Sequence, residues 1–135
     1  MPLITLTLRK GKTAAYKSGV LSAVHRALVA SGVPEADRFH RVLELDEENF
    51  HFDRSYPDLG SPRNDDFILI EILLSVGRSV KIKKKILADL IANLSTSADQ
   101  GAGAGLGIHP ENVMVVFKET TWENWSFAGG RQIHV

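Results

Sequence analysis

Phe67-Ile68-Leu69-Ile70-Glu71-Ile72-Leu73-Leu74, followed by Gly77-Arg78-Ser79, decides the fold. An apolar run broken by one charge, within Asp66 to Ser75, reads as a strand buried on both faces. Gly77-Arg78-Ser79 stops it and offers a helix cap. From Val80 to Leu94 the period becomes helical, with Ile82, Ile86, Leu90 and Leu94 on one face. Val113-Met114-Val115-Val116-Phe117 then reads as another strand.

The same order stands earlier in the chain. Residues 2–9 alternate Ile4, Leu6 and Leu8 against Thr5, Thr7 and Arg9, the signature of a strand. Gly11-Lys12-Thr13 occupies the place of Gly77-Arg78-Ser79. Thr13 to Ser31 is predicted helical, with Val20, Val24 and Leu28 in a stripe beside Leu21, and Gly32-Val33-Pro34 ends it. Gly107-Ile108-His109-Pro110-Glu111 echoes Gly32-Val33-Pro34-Glu35, and Arg41–Leu45 is the remaining strand. Strand-helix-strand twice, over about residues 2–49 and 66–119, is an internal repeat within one domain spanning 1–135. Each unit predicts a right-handed parallel crossover. The fold class expected is α/β (α+β): a four-stranded sheet with two helices on one face.

Two helices cover only one face of such a sheet. Because residues 67–74 look buried on both faces, an obligate oligomer with sheets facing one another is expected. Three segments stand outside the repeat. Residues 50–65 are rich in turn formers and link the halves. Residues 95–107 are small and read as an enlarged loop. Residues 120–135 form a tail with Trp122, Trp125 and Phe127, expected to pack over a pocket or a neighbouring subunit.

The chain has 135 residues, 44% of them hydrophobic, enough for one domain with a real core. Zero formal net charge argues against nucleic acid or an anionic membrane as partner. The absence of cysteine excludes disulfides, thiolate metal sites and cysteine nucleophiles. No basic region followed by an apolar stretch opens the chain, and no apolar run approaches the ~20 residues of a membrane span. A cytoplasmic protein is expected. Gly101–Gly107 lacks the spacing of a phosphate loop. Lys81–Lys85 lies within an amphipathic helix and reads as a solvated face. The histidines lack metal-ligand spacing, so no metal is expected.

Met1-Pro2 carries the chemistry of greatest interest. A small second residue permits removal of the initiator Met, which would leave Pro2 with a free secondary amine tied into a strand. Such an amine is a base or nucleophile when neutral and an acid when protonated. Burial or a nearby cation lowers its pKa, and a nearby carboxylate raises it. Arg78 is a second candidate. A cation at a helix start opposes the helix dipole, so a bound carboxylate is the natural reason for it. Lys12 at the repeat-equivalent position leaves open that helix-start cations are a property of the repeat. Asp37 lies in a turn before a strand, and His25, beside the apolar stripe, reads as a hydrogen-bonded structural residue.

Several of these residues resemble the tautomerase superfamily, whose members use an amino-terminal proline on a duplicated β-α-β core. The similarity is greatest to the malonate semialdehyde decarboxylase branch. It is carried by Met1-Pro2-Leu3, Ala23-Val24-His25-Arg26-Ala27, Gly32-Val33-Pro34-Glu35-Ala36-Asp37-Arg38, Arg63-Asn64-Asp65-Asp66, Gly77-Arg78-Ser79 and Asn124-Trp125-Ser126-Phe127-Ala128-Gly129-Gly130, in order along nearly the whole chain. The resemblance implies a homotrimer and an enzyme acting on a small oxo or unsaturated carboxylic acid, with no cofactor. It implies Pro2 as the catalytic amine, Asp37 as the acidic residue that holds or activates water, and Arg78 as the carboxylate anchor. Trp125 and Phe127 would form an apolar wall beside the proline. The branch has a second arginine where this chain has Val76. Keto–enol proton transfer and decarboxylation or hydration both remain open, as does a trimeric binding or regulatory protein that kept the fold without the chemistry.

Overall fold

A computed structural model describes residues 2–95 and 106–135. The elements run β1 (Leu3–Arg9), α1 (Ala14–Ala30), β2 (Phe39–Leu45), β3 (Ile68–Ser75), α2 (Val80–Ser95) and β4 (Val113–Thr120). The four strands form one sheet ordered β2-β1-β3-β4. β1 pairs parallel with β2, β3 parallel with β4, and β1 antiparallel with β3 at the centre. The sheet is therefore mixed, and the fold is α+β. Most of the expected loop at 95–107 (residues 96–105) falls outside the described residues.

Local chemistry sets the boundaries. The Thr13 side chain accepts from Tyr16 N and caps α1, and the Ser79 hydroxyl accepts from Ile82 N at the start of α2. Gly11 and Gly77 precede the caps at φ +118 and +123°, a region open to glycine, so each strand turns sharply into its helix. β2 begins two residues before the expected Arg41, and β4 continues past Phe117 to Thr120. The ladders supply the reason: Phe39 and His40 pair with Leu3 and Ile4, and Lys118 to Thr120 pair with Leu73 to Ser75.

The core lies between the helices and one face of the sheet. Ile4, Leu6 and Leu8 of β1 and Ile68, Ile70, Ile72 and Leu74 of β3 meet Val20, Val24 and Leu28 of α1 and Ile86, Leu90 and Leu94 of α2. Each fully buried side chain of this kind contributes about 1.5–3 kcal/mol through removal from water.

Among the described residues no helix covers the opposite face. Register puts Phe39, Arg41 and Leu43 of β2 on it, with Leu3, Thr5 and Thr7 of β1, Leu69, Glu71 and Leu73 of β3, and Met114 and Lys118 of β4. Phe39, Leu43 and Met114 are 48, 44 and 46% exposed. Polar pairs cross its middle: Arg41 Nε donates to Thr5 Oγ1 at 2.9 Å, and Lys118 lies 3.1 Å from Glu71. The strand at 67–74 is thus buried on its helix side by Ile68, Ile70, Ile72 and Leu74, while Leu69, Glu71 and Leu73 are only half-buried.

Candidate active site

The ladders bring chain segments that are distant in sequence to one end of the sheet. Pro2 leads into β1 and is buried. Since β1 and β2 are parallel and Leu3 pairs with Phe39, Asp37 and Arg38 lie at the same end. Since β3 runs antiparallel to β1 and Leu3 pairs with Leu73, the exit of β3 through Ser75, Val76, Gly77 and Arg78 is there too. β4 is parallel to β3, so the tail beyond Thr120 emerges beside them. Pro2, Asp37, Arg78, Trp125 and Phe127 therefore share one end.

Asp37 is 7% exposed and sits in a tight turn: its N–H donates to Pro34 O at 3.0 Å, and Arg38 N donates to Ala36 O at 2.9 Å. The turn is fastened to α1 by His25, whose Nε2 lies 2.9 Å from Glu35 O. Because a carbonyl only accepts, Nε2 carries the proton. His25 is thus the hydrogen-bonded structural residue its sequence position suggests. Its ring meets His40 edge-on at 5.6 Å between centroids. Burial, with His25 and Arg38 nearby, pulls His40 down from 6.5 to about 4, so it is neutral at physiological pH.

Arg78 is half-buried at the start of α2, and its hydrogen bond within the chain is a long one, 3.5 Å to Ser75 O. Among the described residues no carboxylate pairs with it. Val76, two residues before it, is 41% exposed. The aromatic wall is continuous. Trp125 and Phe127 stack at 5.5 Å with planes 5° apart, and Phe127 reaches Phe39 at 6.0 Å. Phe39 stands beside Leu3, so the wall extends to the start of β1. Trp122 joins this stack through His134, which it meets edge-on at 4.9 Å and which meets Phe127 edge-on at 5.9 Å.

Two donors at this end lack acceptors. The Ser75 hydroxyl and the Trp125 indole N–H are buried with no hydrogen-bond partner among the described residues. A buried unmade hydrogen bond costs about 1–3 kcal/mol, so an oxygen-rich ligand has something to gain there. Sequence reasoning missed Ser75, because a serine closing an apolar strand carries no local signal. Among the described residues no group of histidine, aspartate and glutamate could hold a metal ion. Among them, too, no helix is long and apolar enough to cross a membrane.

A mixed four-stranded sheet built from two β-α-β units defines a tautomerase-type fold. The family model described as "Tautomerase enzyme" matches residues 37–128, most of the chain, and the protein belongs to that family. A probable tautomerase of Bacillus subtilis strain 168, YusQ, is 25% identical over 132 residues, covering 97% of this chain and 96% of its own. A solved malonate semialdehyde decarboxylase is 28% identical, with a TM-score of 0.81 over 96% of this chain and 93% of its own. Native fused 4-OT shares the fold, with 19% identity and a TM-score of 0.69 over 98% of both chains. These similarities place the chain in the tautomerase superfamily, near the malonate semialdehyde decarboxylase branch.

Proposed function

We propose that this protein is an enzyme acting on a small oxo or unsaturated carboxylic acid, with the Pro2 amine, freed by removal of Met1, as its proton-transfer group. The observation that carries this reading is the convergence of Pro2, buried Asp37 and Arg78, which pairs with no carboxylate among the described residues, at one sheet end. A carboxylate beside an amine stabilises the ammonium form, so Asp37 would hold Pro2 protonated at neutral pH. Protonated Pro2 is an acid rather than a base.

The mechanism follows from these charges. Arg78 binds the substrate carboxylate through its guanidinium fork. The Pro2 ammonium donates toward the carbonyl oxygen, where negative charge develops as an enol-like state forms. In decarboxylation the electrons of the breaking carbon–carbon bond enter that state, carbon dioxide leaves, and the carbon takes up a proton. In hydration Asp37 orients the water that adds. The solved decarboxylase relative is described as having both decarboxylase and hydratase activities. The orphan Trp125 N–H and Ser75 hydroxyl offer further donors to substrate oxygens.

One observation favours a second reading. Val76 leaves Arg78 as the cation at the β3 exit, a lighter charge clamp than two arginines. Simple keto–enol transfer, with neutral Pro2 shuttling a proton between oxygen and carbon, asks less of that clamp. The bare sheet face supports self-association as a homotrimer. Relatives with this fold include a fused 4-OT described as a symmetric trimer.

The test is Pro2→Ala assayed on a panel of 2- and 3-oxo acids and acetylenic acids, with sedimentation to show that the assembly is unchanged. Loss of activity in an intact assembly supports the reading, and full retention overturns it.

A further inference from the structure

The two halves of the chain place equivalent positions at opposite ends of the sheet. Gly11-Lys12-Thr13 and Gly77-Arg78-Ser79 stand in the same place, so Lys12 corresponds to Arg78. β2 and β4 correspond through Phe39 and Met114, which pair with Leu3 and Leu69, so Asn112 corresponds to Asp37. Both are buried, Asn112 to 4% and Asp37 to 7%. The 3-10 turn Glu47–Asn49 corresponds to Trp122–Asn124, and Phe50 and Phe52 then correspond to Trp125 and Phe127. The second end therefore holds a counterpart of the candidate active site, built without an N-terminal amine.

Beside that counterpart, and sharing its Lys12 and Asn112, is a cavity of about 190 Å³ between the start of α1 and the lead into β4, with Tyr16, Asn64, Asp66 and His109 also on its wall. This is room for a small organic acid or several waters. Its polar groups are arranged as donors. The Tyr16 hydroxyl is buried and has no hydrogen-bond partner among the described residues. Burial first, and Asp66 second, raise its pKa from 10.0 to about 12, so it keeps its proton. His109 Nδ1 accepts from Glu111 N at 3.1 Å, which leaves the ring proton on Nε2 as a donor. The Lys12 ammonium bonds Asp66 and lies 5.1 Å from the Tyr16 ring centroid, with further N–H groups to give. Asp66 is the carboxylate on this wall, and Lys12 neutralises it. The two amides brace each other: Asn112 Nδ2 donates to Asn64 Oδ1 at 2.9 Å, and Asn64 N donates to Asn112 Oδ1 at 3.0 Å.

We infer that this cavity is a second binding site, taking a small carboxylate through Lys12, the Tyr16 hydroxyl and His109 Nε2, without turning it over. With Ile68 inside a continuous chain where the first end has Pro2, this end lacks an N-terminal amine, and the Lys12 amine is bonded to Asp66. It would hold a molecule of the same chemical class as the proposed substrate, as a non-catalytic subsite. The inference needs the donors of the second end only, and stands whether or not Pro2 is catalytic.

The experiment uses pyruvate as the probe and the full chain carrying Arg78→Ala, which weakens the first end. Ring resonances of Tyr16 and His109 are followed by NMR as pyruvate is added through the millimolar range. The expected result is a saturable shift of both, absent with the neutral pyruvamide. Lys12→Met and Tyr16→Phe, each added to Arg78→Ala, should weaken binding by at least about tenfold, as loss of a hydrogen bond to a charged group predicts. Unmoved resonances, equal shifts with pyruvamide, or binding unaltered by Lys12→Met would each overturn the second site. Should Tyr16→Phe fail to fold, Lys12→Met, at a partly exposed pair, decides the matter. Failure of the Pro2 reading shows separately, as full activity in Pro2→Ala.

Discussion

The two ends of the sheet have the same architecture and opposite finish. At the far end the chain passes through Asn64, Asp65, Asp66 and Phe67 directly into β3, and the aromatics close on themselves. Phe67 stacks on Phe52 at 4.5 Å and reaches Phe50 at 5.8 Å. Guanidinium groups cap the rings: Arg9 and Arg54 over Phe52 at 4.7 and 5.0 Å, and Arg63 over Phe67 at 5.0 Å. Arg9 also ties the linker down by donating to Phe50 O at 3.1 Å and Asp65 at 3.2 Å. At the near end the corresponding Trp125–Phe127 stack keeps an indole N–H without an acceptor, and Arg78 has no carboxylate among the described residues. The far end has used its arginines and rings for internal cohesion, and keeps open donors in the cavity of Lys12, Tyr16 and His109. The near end has left its arginine and its indole open, at some cost in stability, as a site that meets a ligand does.

The largest expected contrast is between Pro2 and its positional counterpart Ile68. Pro2→Ala should lower turnover by about 10²–10⁴-fold, the scale of a lost acid or base, with little change in urea-induced unfolding. Ile68→Ala, at a fully buried position, should do the reverse and destabilise the fold by about 2–5 kcal/mol. An activity loss in Pro2→Ala that merely tracked unfolding would erase the distinction.

Arg78 and Lys12 sharpen it at a smaller scale. Arg78→Ala should raise KM by about 10–100-fold, the weight of a charge-assisted hydrogen bond to a carboxylate. Lys12→Ala breaks a partly exposed ion pair with Asp66 and should alter stability by at most about 1 kcal/mol. Steady-state kinetics and a denaturation curve on both variants check this.

A further contrast is in pH dependence. His40, by the near end, is lowered from 6.5 to about 4 in the fold, so the unfolded chain binds its proton first. Its contribution is full above pH 6.5 and is lost as pH falls from there toward 4. Tyr16, at the far end, is raised from 10.0 to about 12, so the unfolded chain loses its proton first. That contribution is full below pH 10 and is lost as pH rises toward 12. Thermal melts of His40→Gln should flatten only the acid limb, and those of Tyr16→Phe only the alkaline limb.

Much of this was legible in the chain because the repeat is written in short-range signals. Gly11-Lys12-Thr13 and Gly77-Arg78-Ser79 mark two strand-to-helix turns, and the helix stripes fix which sheet face is covered. The ends of β2 and β4 were less legible, because Lys118-Glu119-Thr120 has no apolar alternation and is a strand only through its ladder with β3. Ser75 was invisible for a different reason: its lack of a partner is a property of what surrounds it. The far-end cavity draws on positions 12, 16, 64, 66, 109 and 112, which no spacing rule connects.

The most direct test of the account is a nitrogen-15 titration of Pro2, once intact mass has shown Met1 to be removed. An unperturbed α-amino group titrates near about 7.7–8.0. The account predicts a Pro2 value raised above that of an unperturbed N-terminal proline, returning toward it in Asp37→Asn. Retained Met1, or a Pro2 value lowered and indifferent to Asp37, would contradict it.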